Sequence, residues 1–124
     1  MGLAALRSVL VVHAFAVLTQ SVFAGQFLAG ADSSVRFHEI NGWLILALSA
    51  TQVGLAAFLL RSGAVSLWLM FGSVFIFLGE GLQIGTGYGR FLNVHIPLGV
   101  IVFGALSWQA VALFLRREPS GTKS

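Results

Sequence analysis

The sequence predicts an all-α integral membrane protein, a bundle of four antiparallel helices that forms a single domain. Of its 124 residues, 57% are hydrophobic and only 9% are charged, whereas soluble domains carry about 25% charged residues. Four apolar stretches are each long enough to cross a hydrocarbon core about 30 Å thick, which takes about 20 helical residues. Because so little chain remains outside these stretches, we do not expect a separate soluble catalytic domain.

The first apolar stretch is open to two interpretations. Arg7 precedes an apolar run that ends in the small residues Ala24 and Gly25, as in a secretory signal peptide. His13 and Gln20 are seven residues apart and therefore share one helical face, which favours a membrane helix. The four predicted helices cover residues 4–29, 37–60, 65–86 and 91–115.

The linkers between the helices are short, polar and glycine-containing, and the polar residues 116–124 predict a flexible cytoplasmic tail. The distribution of basic residues predicts that both termini are cytoplasmic. With alternating helices, one side holds Arg7, Arg61, Arg116, Arg117 and Lys123, and the other holds Arg36 and Arg90. These residues are scattered singly, so nucleic acid is not expected as a partner. Cysteine is absent, which excludes disulfides, iron–sulfur clusters and covalent haem attachment.

Two histidines, His38 and His95, lie near the starts of the second and fourth helices, which run in the same direction. His38 is 23 residues before Arg61 and His95 is 21 before Arg116, so their depths differ by roughly 3 Å. Axial ligation of a b-type haem needs two imidazoles that face each other, and a helix bundle can supply them. We therefore predict that His38 and His95 ligate haem iron; zinc or copper would need three or four protein ligands.

A glycine follows each of these histidines by four residues, Gly42 after His38 and Gly99 after His95. We interpret this repeat as open space beside each imidazole for the porphyrin plane. The alternative is that small residues simply let membrane helices approach closely.

Charged and polar residues surround this predicted site. Arg36 and Arg90, at the same end of the bundle, could pair with haem propionates or act as interfacial anchors. Glu80 and Gln83 share a face of the third helix, and Glu80 would take up a proton beside the haem or hydrogen-bond to Gln20 or Gln52. Whether two chains associate through the face that carries Gly72 and Gly79 stays open.

These features resemble the bacterial cytochrome b561 family. The similar parts are His95 with the segment Gln109-Ala110-Val111-Ala112-Leu113, His13 in the first helix, and the pattern His38-x-x-x-Gly42. The family comprises four-helix membrane proteins that carry two b haems and pass on electrons from quinol. The resemblance implies a multi-pass protein of the bacterial inner membrane that performs one-electron transfer, with quinol as donor and a redox partner. Similar helix–histidine patterns occur in haem A synthase.

The chain departs from the family pattern at Gln109, where the family has the histidine partner of His13. Either His13 alone holds a second haem, or His13 and Gln109 form a polar pair without haem. Two other functions remain open: a haem carrier or oxidase-assembly factor, and a small proton-coupled transporter that uses Glu80.

Overall fold

The computed structural model describes residues 1–115, which form four α-helices and contain no β-strand. The helices are α1 (Gly2–Leu28), α2 (Ser34–Arg61), α3 (Leu67–Tyr88) and α4 (Leu92–Leu115). The predicted all-α class and the number of helices are confirmed. The predicted tail and the basic residues Arg116, Arg117 and Lys123 lie outside the described residues.

The observed helix ends differ from the predicted ones by up to three residues. The helix α2 begins at Ser34 instead of 37, and α3 ends at Tyr88 instead of 86. Hydropathy marks the apolar part of a helix, but the backbone hydrogen bonds continue into polar residues until the chain turns. Gly30 and Gly63 adopt φ values of 96° and 72° after α1 and α2, a region that glycine enters without steric cost.

Each helix packs against two neighbours, in the order α1, α2, α3, α4 and back to α1. Linkers of three to five residues join consecutive helices, so consecutive helices are antiparallel. The helices α1 and α3 are therefore diagonal to each other and parallel, as are α2 and α4. This arrangement lets residues of α2 and α4 meet across the middle of the bundle.

The bundle is apolar outside and partly polar inside. Large apolar side chains are exposed on its outer faces, including Phe15, Phe58, Trp68 and Trp108. Among residues 1–115, nine polar residues are buried: His13, Ser34, Asn41, Ser49, Gln52, Ser73, Glu80, Thr86 and Gln109. A water-soluble domain shows the opposite distribution. All four helices are also long and apolar enough to cross a membrane, which suggests a multi-pass membrane protein; insertion and orientation stay predictions.

The two helical hairpins, α1–α2 and α3–α4, share one pattern of inward-facing positions. Four buried residues of α2 each have a buried counterpart in α4, 57 residues later in the sequence. Ile45, Ser49, Gln52 and Ala56 correspond to Val102, Leu106, Gln109 and Leu113. Between α1 and α3 the repeat is 63 residues, and Leu6, Leu10 and His13 correspond to Leu69, Ser73 and Ile76. An approximate two-fold axis along the bundle therefore relates the two hairpins.

Candidate functional site

The structure brings His38 of α2 and His95 of α4 together across the bundle. Their ring centres are 6.1 Å apart and the ring planes are inclined by 53°. Both side chains are half-buried. They occupy equivalent positions of the two hairpins, 57 residues apart, so the approximate two-fold axis passes between them. We call these two residues the histidine pair.

Each imidazole of the histidine pair is held by a backbone carbonyl of a neighbouring helix. His38 Nδ1 donates to the carbonyl of Gln20, at 3.2 Å, and His95 Nδ1 donates to that of Gln83, at 2.9 Å. Since a carbonyl oxygen can only accept, Nδ1 carries a proton, and in the neutral ring the lone pair is then on Nε2. Both histidines therefore have the same tautomer and leave Nε2 as an available base.

The glycines that follow the two histidines contact glutamine side chains. A Cβ atom on Gly42 would lie 3.3 Å from Gln20 Nε2, and one on Gly99 would lie 2.6 Å from Gln83 Nε2. The space that the sequence suggested for a porphyrin thus holds the ends of two flexible side chains. A third glycine, Gly87 of α3, packs against His95, since its Cβ would lie 3.1 Å from Cε1 of the ring.

Asn41 is a further polar residue at this level that the sequence argument did not single out as a site residue. Its Nδ2 donates to the carbonyl of Ala16, at 2.8 Å, and to Gln20 Oε1, at 2.7 Å. Gln20 Nε2 in turn donates to the carbonyl of His38, at 2.8 Å. Asn41 and Gln20 therefore fix α1 against α2 beside the histidine pair. The signal in the sequence is that Asn41 lies three residues after His38, on the same helical face.

Arg36 and Arg90 are both exposed, two and five residues before the histidines. Arg90 lies in the linker between α3 and α4 with a φ of 56°, an uncommon conformation for a residue other than glycine. At the same end of the bundle, the Tyr88 hydroxyl donates to the Glu39 carboxylate and connects α3 with α2. No pattern in the sequence predicts Glu39 or Tyr88 as a site residue.

A second group of polar residues lies deeper in the bundle and joins all four helices. We call it the four-helix network: His13, Gln52, Ser73, Glu80 and Gln109, all of which are buried. His13 Nε2 lies 2.6 Å from Glu80 Oε1, and His13 Nδ1 lies 3.0 Å from Gln52 Oε1. Gln52 Nε2 donates to Ser73 Oγ, at 3.1 Å, and to Gln109 Oε1, at 2.8 Å.

The direction of these hydrogen bonds is set at one end by the carbonyl of Leu69, which can only accept. Gln109 Nε2 donates to it at 2.7 Å, so Gln109 presents its oxygen to Gln52 Nε2. Gln52 then presents its own oxygen to His13 Nδ1, which must carry a proton. His13 Nε2 is therefore the ring nitrogen that shares a proton with Glu80.

The network differs from the sequence-based expectations in three respects. His13 and Gln109 make no direct hydrogen bond in the described structure and are connected through Gln52. Both ring nitrogens of His13 are hydrogen-bonded to side chains, so ligation of iron by His13 would require one of these hydrogen bonds to break. Glu80 bonds to His13, whereas the sequence suggested Gln20 or Gln52 as its partner.

Gly72 and Gly79, the face considered for association of two chains, point toward α4 of the same chain. A Cβ on Gly72 would lie 3.3 Å from Gln109 Nε2, and one on Gly79 would lie 2.8 Å from Val102 Cγ2. These glycines thus allow α3 and α4 to approach closely. Gly72 also lines an apolar groove between α3 and α4, together with Trp68 and Trp108, and association of two chains at this face stays a prediction.

Within residues 1–115, no group of three or more histidine, cysteine, aspartate or glutamate side chains could hold a metal ion. The histidine pair therefore offers two protein ligands, and a bound metal would need the rest of its coordination from another source. No family model, curated protein sequence or solved structure gives a significant match to this chain.

Proposed function

We propose that this chain is a membrane-embedded b-type haem protein in which His38 and His95 ligate one haem iron from opposite sides, and that it performs one-electron transfer. The observation that carries the proposal is the geometry of the histidine pair. Two imidazoles on parallel, diagonal helices lie 6.1 Å apart, and both have an unprotonated Nε2.

The separation of the rings fits axial ligation of one metal. A metal–imidazole nitrogen bond is about 2 Å long and the ring centre lies about 1 Å behind the nitrogen, so two rings on opposite sides of one metal have centres about 6 Å apart. The observed separation is 6.1 Å. The separation of the ring centres is therefore compatible with binding of one iron by the histidine pair.

The hydrogen bonds to Nδ1 are a second argument for ligation. Histidines that bind metal almost always donate their other ring N–H to a carbonyl, a carboxylate or water, which fixes the tautomer and orients the ring. Here the carbonyls of Gln20 and Gln83 accept these bonds. Both carbonyls come from equivalent positions of α1 and α3, so the two ligands are prepared in the same way.

The small number of protein ligands favours haem over a bare metal ion. A structural zinc site needs about four protein ligands, whereas a haem brings four porphyrin nitrogens and needs only two axial ligands. When bound, the haem would supply a one-electron iron couple. The chain would orient the ligands, exclude water through its apolar helices, and place the positive charges of Arg36 and Arg90 near the end of the bundle where propionates emerge.

Space for the porphyrin is the one feature that requires rearrangement. The amide ends of Gln20 and Gln83 lie against Gly42 and Gly99. Both amides belong to flexible side chains, so rotation about their side-chain bonds would free the space beside the imidazoles. The glycines matter for the proposal because a larger residue there would block that space permanently.

The proposal includes one haem, because the four-helix network occupies both ring nitrogens of His13. By the resemblance to the bacterial cytochrome b561 family, His13 and Gln109 would be the positions of the ligands of a second haem. With one haem near one end of the bundle, the chain would exchange electrons at that face of a bacterial inner membrane. Quinol is the proposed donor, by the same resemblance.

The absorption spectrum of the purified protein tests the proposal. Protein expressed with ample haem should show a Soret band, and an α band after reduction with dithionite. His38→Ala and His95→Ala should each abolish or strongly change these bands, since a ligand is lost. His13→Gln is the matched control and should keep them. Absence of the bands in the wild type, or their persistence in both alanine variants, would contradict the assignment.

Electron transfer and haem carriage can be separated with the same preparation. An electron-transfer protein should retain its haem when mixed with apomyoglobin and should be reduced by a quinol analogue. A carrier should pass its haem to apomyoglobin and should not be reduced by quinol. The second result would replace electron transfer with the carrier function while leaving the ligand assignment intact.

A further inference from the structure

We infer that His13 and Glu80 form an internal proton-binding site, which takes up one proton when an electron is added at the histidine pair. The electron-coupled part rests on the proposed function. The inference itself starts from three observations: both residues are buried, Nε2 and Oε1 are 2.6 Å apart, and Glu80 Oε2 has no hydrogen-bond partner in the described structure.

The hydrogen-bond directions determine how many protons the pair holds at rest. His13 Nδ1 carries a proton that it donates to Gln52 Oε1, because the network is oriented by the Leu69 carbonyl. The bond between His13 Nε2 and Glu80 Oε1 holds one further proton. Whether this proton is nearer the nitrogen or the oxygen, the pair as a whole is neutral. A neutral pair is what a site of low dielectric constant tolerates best.

One atom of the pair can accept an additional proton without breaking a hydrogen bond. Glu80 Oε2 is buried and unpartnered, whereas the two amides and the hydroxyl of the network are already bonded. With a proton on Oε2, His13 becomes an imidazolium that donates to Gln52 Oε1 and Glu80 Oε1. The observed positions of His13, Gln52 and Glu80 therefore allow these hydrogen bonds after the additional proton has bound.

The groups that the four-helix network places around His13 and Glu80 are uncharged, so a distant charge can change proton binding by these two residues. The network presents to it the neutral amides of Gln52 and Gln109 from α2 and α4, and the hydroxyl of Ser73 from α3. On α1, the charged Arg7 is about one and a half turns from His13, and its Nη2 donates to the carbonyl of Leu113. The other histidines, His38 and His95, are the histidine pair itself.

The distance between the two groups allows electrostatic coupling. Gln20, whose carbonyl holds His38, lies seven residues beyond His13 on α1, a rise of about 10 Å. With an effective dielectric constant of about 20, a unit charge at about 10 Å changes proton binding roughly tenfold. A negative charge added at the histidine pair would then favour binding of a proton from water at Glu80 Oε2. Reoxidation would release that proton.

The midpoint potential of the haem-loaded protein tests this coupling. We expect the wild-type potential to be lower at high pH than at low pH, because reduction includes proton uptake. Because the coupling changes proton binding about tenfold, the potential should differ by about 59 mV in total between these two limits. Glu80→Gln should give a nearly constant potential, since the amide can hydrogen-bond to His13 but cannot take up the proton.

Glu39→Gln is the matched control, because it makes the same carboxyl-to-amide change at an exposed carboxylate. It should keep the wild-type slope. A constant wild-type potential, or an unchanged slope in Glu80→Gln, would overturn the inference.

Infrared difference spectra of the haem-free protein test the proton site independently of haem. The wild type should show a carboxylic-acid C=O band that grows as the pH falls, that shifts on isotope labelling of glutamate, and that is missing in Glu80→Gln. If this band is found but no haem binds, only the proposed function fails. If haem binds and no such band appears, the proton site is wrong. The isotope shift in the wild type keeps the test valid even if the variant does not fold.

Discussion

His13 and the histidine pair show the same side chain in two different settings. In the histidine pair each ring is half-buried, with one nitrogen bonded to a carbonyl and the other available. His13 is fully buried, and both its nitrogens are bonded to side chains. A histidine inside the bundle is therefore a candidate metal ligand when one of its ring nitrogens has no protein partner. When both ring nitrogens are bonded to side chains, the histidine is a member of a hydrogen-bond network.

The two regions also differ in symmetry. His38 and His95 are equivalent under the 57-residue repeat, and so are the Gln20 and Gln83 carbonyls under the 63-residue repeat. In the four-helix network the repeat is broken, because the positions equivalent to His13, Ser73 and Glu80 are Ile76, Leu10 and Val17. A symmetric pair is suited to hold one ligand on the axis between the hairpins. An asymmetric network is suited to hold a single proton.

Removing the central amide of the four-helix network should have the largest effect on stability. Gln52→Leu keeps the side-chain size but leaves His13 Nδ1, Ser73 and Gln109 with fewer partners. With about 0.6 to 1 kcal/mol for each hydrogen bond between membrane helices, we expect a loss of about 2 kcal/mol. Equilibrium unfolding in detergent measures it. Thr51→Val, at the adjacent exposed position, is the control and should change stability much less.

The corresponding change beside the histidine pair should be milder. Asn41→Leu removes two hydrogen bonds, to the carbonyl of Ala16 and to Gln20 Oε1, so we expect a loss of about 1 kcal/mol. The same unfolding experiment provides the comparison with Gln52→Leu. A larger loss for Asn41→Leu than for Gln52→Leu would show that the main polar support of the bundle lies at the histidine pair.

The exposed bond between Tyr88 and Glu39 should contribute least. Tyr88→Phe removes the hydroxyl that donates to Glu39 at the end of the bundle, where water can replace it. We expect a change of about 0.5 kcal/mol or less, and unaltered haem bands. A change as large as that of Asn41→Leu would mean that this contact holds α2 and α3 together at the histidine pair.

Much of this architecture could be predicted from the sequence, because hydropathy and helical periodicity are local properties. The four helices, their order and the common depth of His38 and His95 follow from segment lengths and from the alternation of direction. The partners of the polar residues could not be predicted in the same way. Gln20 and Gln52 are the hydrogen-bond partners that the sequence suggests for Glu80, but Glu80 bonds to His13, because rotation of each helix about its axis is set by packing.

The sequence by itself therefore determined that the chain forms four apolar helices and that two histidines lie at one level near one end. Only the tertiary structure decided that His38 and His95 meet 6.1 Å apart with their Nδ1 atoms bonded to carbonyls, and that His13 is enclosed in a network. The physical reason is that a hydrogen bond depends on ångström-scale positions of atoms from different helices, and these positions result from the packing of the whole bundle.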